Sequence, residues 1–176
     1  MYPEKSSMRR VFSALAVTSC LLAGLPAIAL AQGLPGLTIF SGVERPNQLN
    51  FRLDYGRRSL WDNYRLRIPA NKMQLAVSQI NISYPDYYTG KFDTSRIEVL
   101  ARDKSVPIRE VNWDRDNHSL QISLTEPIEA GDRVEVILSN VKNPEFGGTY
   151  YFHARVVSPG DIPLPRYVGT WILDVN

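Results

Sequence analysis

The sequence predicts an all-β fold, an immunoglobulin-like β-sandwich of about eight to ten short strands, preceded by a cleavable signal helix. Apolar and polar residues alternate with a period of two in run after run, which is typical of strands with one buried face. Turn residues separate these runs at spacings of about 8–15 residues. No sustained helical period follows the leader, although Ser59 is suited to cap one helical turn over residues 59–64. A β-barrel is the alternative architecture.

The first 31 residues have the pattern of an export signal. Lys5, Arg9 and Arg10 form a positive start, and an apolar run follows up to a small-x-small pattern at residues 29–31. This pattern predicts cleavage between Ala31 and Gln32. An uncleaved membrane anchor is the alternative, because about 20 apolar residues can span a bilayer. The paired arginines leave a twin-arginine route open beside ordinary unfolded export.

Removing this leader changes the net charge of the chain and removes its only cysteine. The leader holds three of the 20 positive and one of the 18 negative residues, so 17 of each remain. A neutral chain gives no global support for binding nucleic acid or a polybasic membrane contact. The single cysteine, Cys20, lies in the leader, so the remaining chain has no disulfide available. We expect a signal at 1–31, a short linker at 32–36 and one domain at 37–176, without a membrane span after cleavage.

The strands are predicted in order from the alternating runs. Pro69 ends one of them, and a change of phase near Ser78 and Gln79 predicts a β-bulge. Residues 114–117 have turn chemistry and separate two strands. The runs span residues 37–40, 49–55, 64–68, 75–82, 97–99, 111–113, 120–124, 134–138, 150–156 and 167–175.

One local pattern favours the immunoglobulin-like sandwich over the barrel. Gly147 and Gly148 precede Tyr150, which stands two positions before the inward-facing Phe152. This is the spacing of a tyrosine corner at the start of strand F, with phenylalanine in the place of the usual cysteine.

Three segments in this order, residues 64–69, 127–131 and 141–150, resemble the cyanobacterial domain-of-unknown-function family numbered 2808. The resemblance covers nearly all of residues 37–175, and its most specific part contains Asn143, Pro144, Gly147, Gly148 and Tyr150. It implies an exported, mostly β domain that is periplasmic or released, with no established activity. It offers no catalytic residues to carry over.

The residues give no pattern of catalytic or metal chemistry. His118 and His153 lie in different segments without a neighbouring ligand, so a metal site is not expected. Residues 114–118 begin like an EF-hand loop, but Ser119 stands where glycine is needed and Thr125 where glutamate is needed. Without a nucleophile elbow or a phosphate-binding glycine loop, we expect no enzyme activity and no cofactor.

An aromatic segment at residues 82–92 is the candidate binding surface. Pro85, Asp86 and Gly90 mark it as a loop. Aromatic rings on a loop can stack on sugars or anchor a protein partner, whereas the alternative is that they cap one end of the core. The candidate binding residues are Tyr84, Tyr87, Tyr88 and Phe92, extended through cation–π contact by Arg57, Arg58 and Trp61.

The sequence therefore predicts a non-catalytic, exported β-sandwich of the cell envelope that binds a protein or glycan partner. Its expected location is the periplasm, the thylakoid lumen or the medium, as a monomer or weak homo-oligomer. One alternative is an accessory subunit of an envelope or lumenal membrane complex. A second is a hydrolase of cell-wall or extracellular polymer, which requires two carboxylates or a Ser–His pair in one cleft.

Overall fold

A computed structural model describes residues 42–160 and 164–176 of the chain. The predicted signal, its cleavage site at Ala31 and Gln32, the linker and the strand at 37–40 lie outside the described residues. Within the described part, no helix has the length and apolar character needed to cross a membrane.

The described chain forms ten β-strands and three short 3₁₀ helices. The 3₁₀ helices span Arg45–Asn47, Ala70–Lys72 and Thr94–Arg96. The strands are β1 (Phe51–Leu53), β2 (Trp61–Ile68), β3 (Val77–Ser83), β4 (Ile97–Ala101), β5 (Lys104–Val106), β6 (Ile108–Asp114), β7 (Ser119–Ile128), β8 (Val134–Lys142), β9 (Gly148–Val157) and β10 (Pro165–Val175).

The strands form two five-stranded antiparallel sheets. Sheet I has the order β1-β2-β8-β4-β5, and sheet II has the order β10-β9-β3-β7-β6. Neither sheet closes on itself, so the predicted sandwich is confirmed and the barrel is not formed. The inner faces bury one continuous core, because alternate residues of each strand point inward. Its largest fully buried side chains include Trp171, Tyr64, Phe152, Leu66, Ile68, Ile80, Ile82, Leu120, Ile122, Leu138 and Leu173.

The bulge predicted in β3 is confirmed by the register against β7. Val77 pairs with Ile128 and Gln79 with Ser123, so the register shifts between Val77 and Gln79. This shift keeps both Val77 and Ile80 buried although they are an odd number of residues apart.

The helical turn expected over residues 59–64 is wrong. Trp61 already begins β2, and Ser59 has a φ of +58°. Long-range bonds fix the segment: the Ser59 amide donates to the carbonyl of Pro144, and the Leu60 carbonyl accepts from the Asn143 amide. Tertiary hydrogen bonds therefore override the local preference for a cap.

The strand expected at 49–55 is shorter than the alternation suggested, because β1 covers only Phe51–Leu53. The amides of Asp54, Tyr55 and Gly56 turn instead toward the Asp62 side chain. The short strand β5 was not expected; Arg102 and Asp103, both with positive φ, form the tight turn that joins it to β4.

Candidate functional site

Three of the four rings of the aromatic segment belong to the core. Tyr84, Tyr88 and Phe92 are buried, and their ring centroids lie 5.8, 4.9 and 6.2 Å from that of Phe152. Only Tyr87 remains accessible, with 56% of its surface exposed. The segment therefore caps one end of the sandwich, which we call the loop end; there β3, β8 and β10 finish and β2, β7 and β9 begin.

A buried hydrogen-bond network lies beneath this cap. The Tyr64 hydroxyl donates to Oδ1 of Asn143 at 2.5 Å and lies 3.2 Å from the Tyr88 hydroxyl. Burial raises the pKa of both Tyr64 and Tyr88, so both hydroxyls stay protonated. From its other side, Asn143 donates through Nδ2 to Oδ2 of Asp62 at 3.1 Å and to the Arg57 carbonyl at 2.7 Å.

Asp62 fixes the loop that leads into β2. Its carboxylate accepts hydrogen bonds from the backbone amides of Asp54, Tyr55, Gly56 and Asn63, besides the one from Asn143. Both Asp62 and Asn143 are 2% exposed; the bond between them is buried, and the four bonds from the backbone amides are partly buried. These bonds fix the backbone next to the preceding residue, Trp61, whose surface is 54% exposed.

The other residues of the predicted structural motif support this end of the fold. Pro144 is buried, and its carbonyl accepts from the Ser59 amide. A Cβ on Gly147 would come 3.0 Å from the Val175 carbonyl, so only glycine fits without displacement. The Tyr150 hydroxyl donates to the Phe146 carbonyl at 2.7 Å, which is the tyrosine-corner bond that the sequence predicted. Gly148 begins β9, where Phe152 is fully buried.

A groove lies beside Trp61, and we call it the tryptophan groove. Its first cleft has a volume of about 320 Å³ and runs between Trp61 and Trp113. A second cleft of about 270 Å³ continues it and shares Trp61 and Asn140. The two clefts are lined by Trp61, Asp62, Asn63, Lys91, Phe92, Asp93, Thr94, Arg96, Trp113, Arg115, Ser139 and Asn140.

A bulge in β8 places Asn140 in this groove. The β2–β8 register shifts between Asp62 and Tyr64, and Asn140 adopts a φ of +58°. Its amide donates to Oδ1 of Asn63 at 3.1 Å, and its Nδ2 donates to Oδ2 of Asp93 at 2.9 Å. Strained, bulged backbone of this kind is common beside binding sites, because it redirects a side chain out of the ladder. The sequence signal for this bulge, a change of phase after Leu138, was missed.

Each tryptophan of the groove has a cation over its ring. Lys142 Nζ lies 5.3 Å from the ring centroid of Trp61, and the Arg115 guanidinium lies 4.2 Å from that of Trp113. The predicted partners of Trp61, Arg57 and Arg58, are exposed at the same end, and their backbones bond to Asn143 and Asn176. Trp113 Nε1 donates to the Tyr84 hydroxyl at 2.7 Å, so this indole is anchored to the cap.

Asp93 is fully engaged within the groove. Oδ1 accepts from the Ser95 amide and hydroxyl, and Oδ2 accepts from Asn140. The hydrogen bonds from Ser95 and then Asn140 lower the pKa of Asp93, so it is ionised at neutral pH.

Exposed apolar side chains surround the tip of the loop end and form what we call the apolar rim: Tyr55, Leu60, Tyr87 and Phe146. Phe146 is 73% exposed and Tyr55 68%. Tyr87 packs 5.6 Å from Tyr150, whose hydroxyl bonds to the Phe146 carbonyl.

A larger groove of about 520 Å³ lies on sheet I and contains two carboxylates, Asp103 and Glu135. Glu135 pairs with Arg67 and Asp103 with Arg133. Both carboxylates of this groove are therefore engaged in ion pairs with arginine side chains.

Both histidines contact neighbouring side chains of the sandwich. His153 Nδ1 lies 2.8 Å from the Thr170 hydroxyl, and burial lowers the pKa of its imidazole. His118 packs edge-on against Tyr84, and Asp114 in the same turn bonds to Asn117. Among residues 42–160 and 164–176, no group of three His, Cys, Asp or Glu side chains is placed to hold a metal ion.

Comparison with known proteins adds a family and a set of distant folds. The model of a family described as "Protein of unknown function (DUF2808)" matches residues 37–175. No curated protein matches the chain.

Several solved structures resemble this fold at low sequence identity, and three of them illustrate the range of proteins. BslA, a bacterial hydrophobin, is 15% identical over 73% of this chain and 91% of its own, with a TM-score of 0.47. An immunoglobulin-like protein from Nocardia farcinica is 11% identical over 73% and 99%, with a TM-score of 0.40. The collagen-binding domain of a Staphylococcus aureus adhesin is 9% identical over 78% and 99%, with a TM-score of 0.41. Similarities this distant say nothing about the ligand or partner of this chain.

Proposed function

We propose that this chain, which belongs to the DUF2808 family of proteins of unknown function, is an exported, non-catalytic module that binds glycan of the cell envelope through its tryptophan groove. The observation that carries the proposal is the exposed Trp61 ring, held beside a cleft whose walls carry hydrogen-bonding side chains. Export rests on the leader at residues 1–31.

The groove combines the two kinds of contact that a sugar requires. The apolar C–H face of a pyranose ring packs on an exposed indole, and its hydroxyls bond to amides and charged groups around it. Trp61 supplies the indole, while Thr94, Ser139 and Asn140 supply hydrogen-bonding groups along the cleft. The sequence proposed Tyr84, Tyr88 and Phe92 as binding rings; since these rings are buried, the proposal moves to Trp61.

Rigidity is the second support. Asp62 and Asn143 fix the backbone at the base of Trp61, and the Asn140 bulge is fixed through Asn63 and Asp93. A preorganised site loses little conformational entropy when the ligand binds, so a shallow groove can still hold a sugar.

The residues of the groove support binding rather than catalysis. Its two carboxylates, Asp62 and Asp93, already accept hydrogen bonds from neighbouring backbone and side chains. Neither His118 nor His153 lines the groove. General acid–base chemistry requires a group free to exchange a proton with the substrate, and these engaged carboxylates do not provide one.

The test is affinity for purified envelope polysaccharides and their oligosaccharides, measured with the exported full chain. We expect Trp61→Ala to weaken binding about five- to tenfold, which corresponds to about 1–1.4 kcal/mol for one aromatic contact. Phe146→Ala is the matched control, because it removes an even more exposed ring outside the groove. Equal losses in the two variants, or no binding by the parent chain, would overturn the proposal.

A second candidate function is an accessory subunit that docks on an envelope protein through the apolar rim. The observation that favours it is the clustering of Tyr55, Leu60, Tyr87 and Phe146, all exposed, at one end of the molecule. Cross-linked pull-down from the envelope fraction would then recover one stoichiometric partner. The double variant Tyr55→Ser with Phe146→Ser would lose that partner and keep the affinity for sugar.

A further inference from the structure

We propose that the tryptophan groove selects an anionic saccharide, one that carries carboxylate or sulfate groups. This inference rests on the proposed function and specifies its ligand class. Four cations surround the groove: Lys91, Arg96 and Arg115 line it, and Lys142 lies over the Trp61 ring. Arg96 pairs with Asp93, which leaves Lys91, Arg115 and Lys142 to consider.

These three cations have no acidic partner within the described part of the chain. No carboxylate oxygen there lies within 4.0 Å of Lys91, Arg115 or Lys142, although ion pairs form at other sites of the surface. Asp93 is the nearby carboxylate that lines the cleft, and it is engaged by Ser95, Asn140 and Arg96. Lys142 already donates to the Ser59 carbonyl at 2.5 Å, so Lys91 and Arg115 are the cations available to a ligand.

The backbone pairs two of these cations, Lys91 and Lys142, directly opposite each other. Lys91 and Lys142 form an isolated antiparallel bridge, in which each amide donates to the other's carbonyl, at 2.9 and 2.8 Å. Like charges directly opposite each other in such a pair are destabilising. The Lys142 ammonium is compensated locally, because it lies over the Trp61 ring and donates to the Ser59 carbonyl at 2.5 Å. Within the described residues, the Lys91 ammonium has no such hydrogen bond or ion pair. A bound anion would remove the repulsion.

Arg115 is placed to recognise a planar anionic group. Its guanidinium lies 4.2 Å from the ring centroid of Trp113, and Trp113 itself is anchored through Nε1 to Tyr84. Contact with the ring restricts the guanidinium, and its fork of N–H donors matches the geometry of a carboxylate or sulfate.

The excess of positive charge belongs to this groove, because the chain without the predicted leader is neutral overall. Once the predicted leader is removed, 17 positive and 17 negative residues remain. A general attraction to polyanions is therefore not expected, and the selectivity should disappear when Lys91 and Arg115 are neutralised.

The experiment compares one sugar backbone in charged and neutral form. Calorimetric titration of the exported full chain uses an oligogalacturonide, its fully methyl-esterified form and a sulfated galactan oligosaccharide. We expect at least one charged probe to bind about tenfold more tightly than the neutral ester at low ionic strength, a difference of about 1.4 kcal/mol. We also expect added salt to reduce this difference, because Lys91 and Arg115 are exposed.

The double variant Lys91→Gln with Arg115→Gln should bind the oligogalacturonide with the affinity of its methyl ester, and should bind the sulfated galactan more weakly than the parent chain does. Arg57→Gln with Arg58→Gln is the matched control, because it removes two exposed cations of the same end outside the groove, and it should keep the preference. Equal binding of charged and neutral probes by the parent chain would overturn the anionic selectivity and leave saccharide binding intact. Absence of binding to charged, neutral and purified envelope saccharides alike would overturn both proposals.

Discussion

Asn143 donates a hydrogen bond from Nδ2 to Oδ2 of Asp62 across 3.1 Å, and both residues are almost completely buried. This bond joins the end of β8 to the start of β2, 81 residues apart in sequence. Because Trp61 directly precedes Asp62, the bond also helps to fix the backbone that carries the exposed ring that we propose as the sugar platform. Asn143 is therefore a buried residue that supports the backbone of the candidate site.

Replacing Asn143 with alanine should destabilise the fold strongly. The variant removes the partner of the Asp62 carboxylate, of the Tyr64 hydroxyl and of the Arg57 carbonyl, and leaves a buried charge less well compensated. We expect a loss of about 2–4 kcal/mol in the free energy of unfolding, measured by urea denaturation. Asn71→Ala, at an exposed asparagine, should change stability by less than about 0.5 kcal/mol. Equal effects of the two substitutions would contradict the structural role of Asn143.

Truncating two neighbouring tyrosines should have very different effects on stability. Tyr88→Ala removes a buried ring that packs on Phe152, so we expect a loss of about 3–5 kcal/mol in unfolding free energy. Tyr87→Ala removes an exposed ring, and the expected change is within about 0.5 kcal/mol. Thermal and chemical denaturation of both variants checks this pair. A stable, folded Tyr88→Ala protein would show that the aromatic segment does not cap the core.

Neutralising Lys91 should stabilise the chain in the absence of ligand. Lys91→Gln removes the repulsion across its pair with Lys142, and we expect a gain of about 0.2–1 kcal/mol at low ionic strength. The gain should shrink in high salt, because salt screens exposed charges. Lys104→Gln, on the exposed strand β5, is the control and should have no such effect. A loss of stability in Lys91→Gln that persists in high salt would mean that the lysine pair is not repulsive.

The pH dependence of stability should carry a contribution from His153. Burial lowers the pKa of its imidazole in the folded state below the ordinary 6.5, so the unfolded state binds the proton more readily. The contribution of His153 is fully present above the unfolded pKa and is lost as the pH falls from there through the folded pKa. Urea midpoints measured between about pH 7.5 and 5 should fall less steeply in His153→Gln than in the parent chain. His118→Gln serves as the comparison, and an unchanged slope in His153→Gln would contradict the assignment.

The strand positions could be predicted from the sequence because alternation reports directly which residues face the core. Leu120, Ile122 and Leu124 show this in β7, and the phase change near Gln79 revealed the bulge in β3. The tyrosine corner at Tyr150 was also recognisable, since its bond reaches back only four residues.

The candidate site could not be predicted in the same way, because it depends on contacts between distant segments. Trp61 and Trp113 line one cleft only because β2 and β6 lie in different sheets that meet at the loop end. Likewise, the cation over Trp61 is Lys142, which the register of β8 places opposite it, and not the adjacent Arg57 or Arg58.

Pro85 and Gly90 correctly predicted a loop, but the sequence could not predict that the aromatic rings of this loop pack into the core. Gly90 lies so close to the Tyr88 ring that a Cβ would come within 2.4 Å of its ring carbon.

The measurement that tests saccharide binding at the tryptophan groove most directly is an NMR titration that follows the indole N–H signals. The chain has three tryptophans, and the third, Trp171, is fully buried and donates to the Arg67 carbonyl at 3.0 Å. On addition of an envelope oligosaccharide, we predict that the Trp61 and Trp113 signals shift while the Trp171 signal stays unchanged. Saccharide binding that leaves both Trp61 and Trp113 unperturbed would contradict the proposed site.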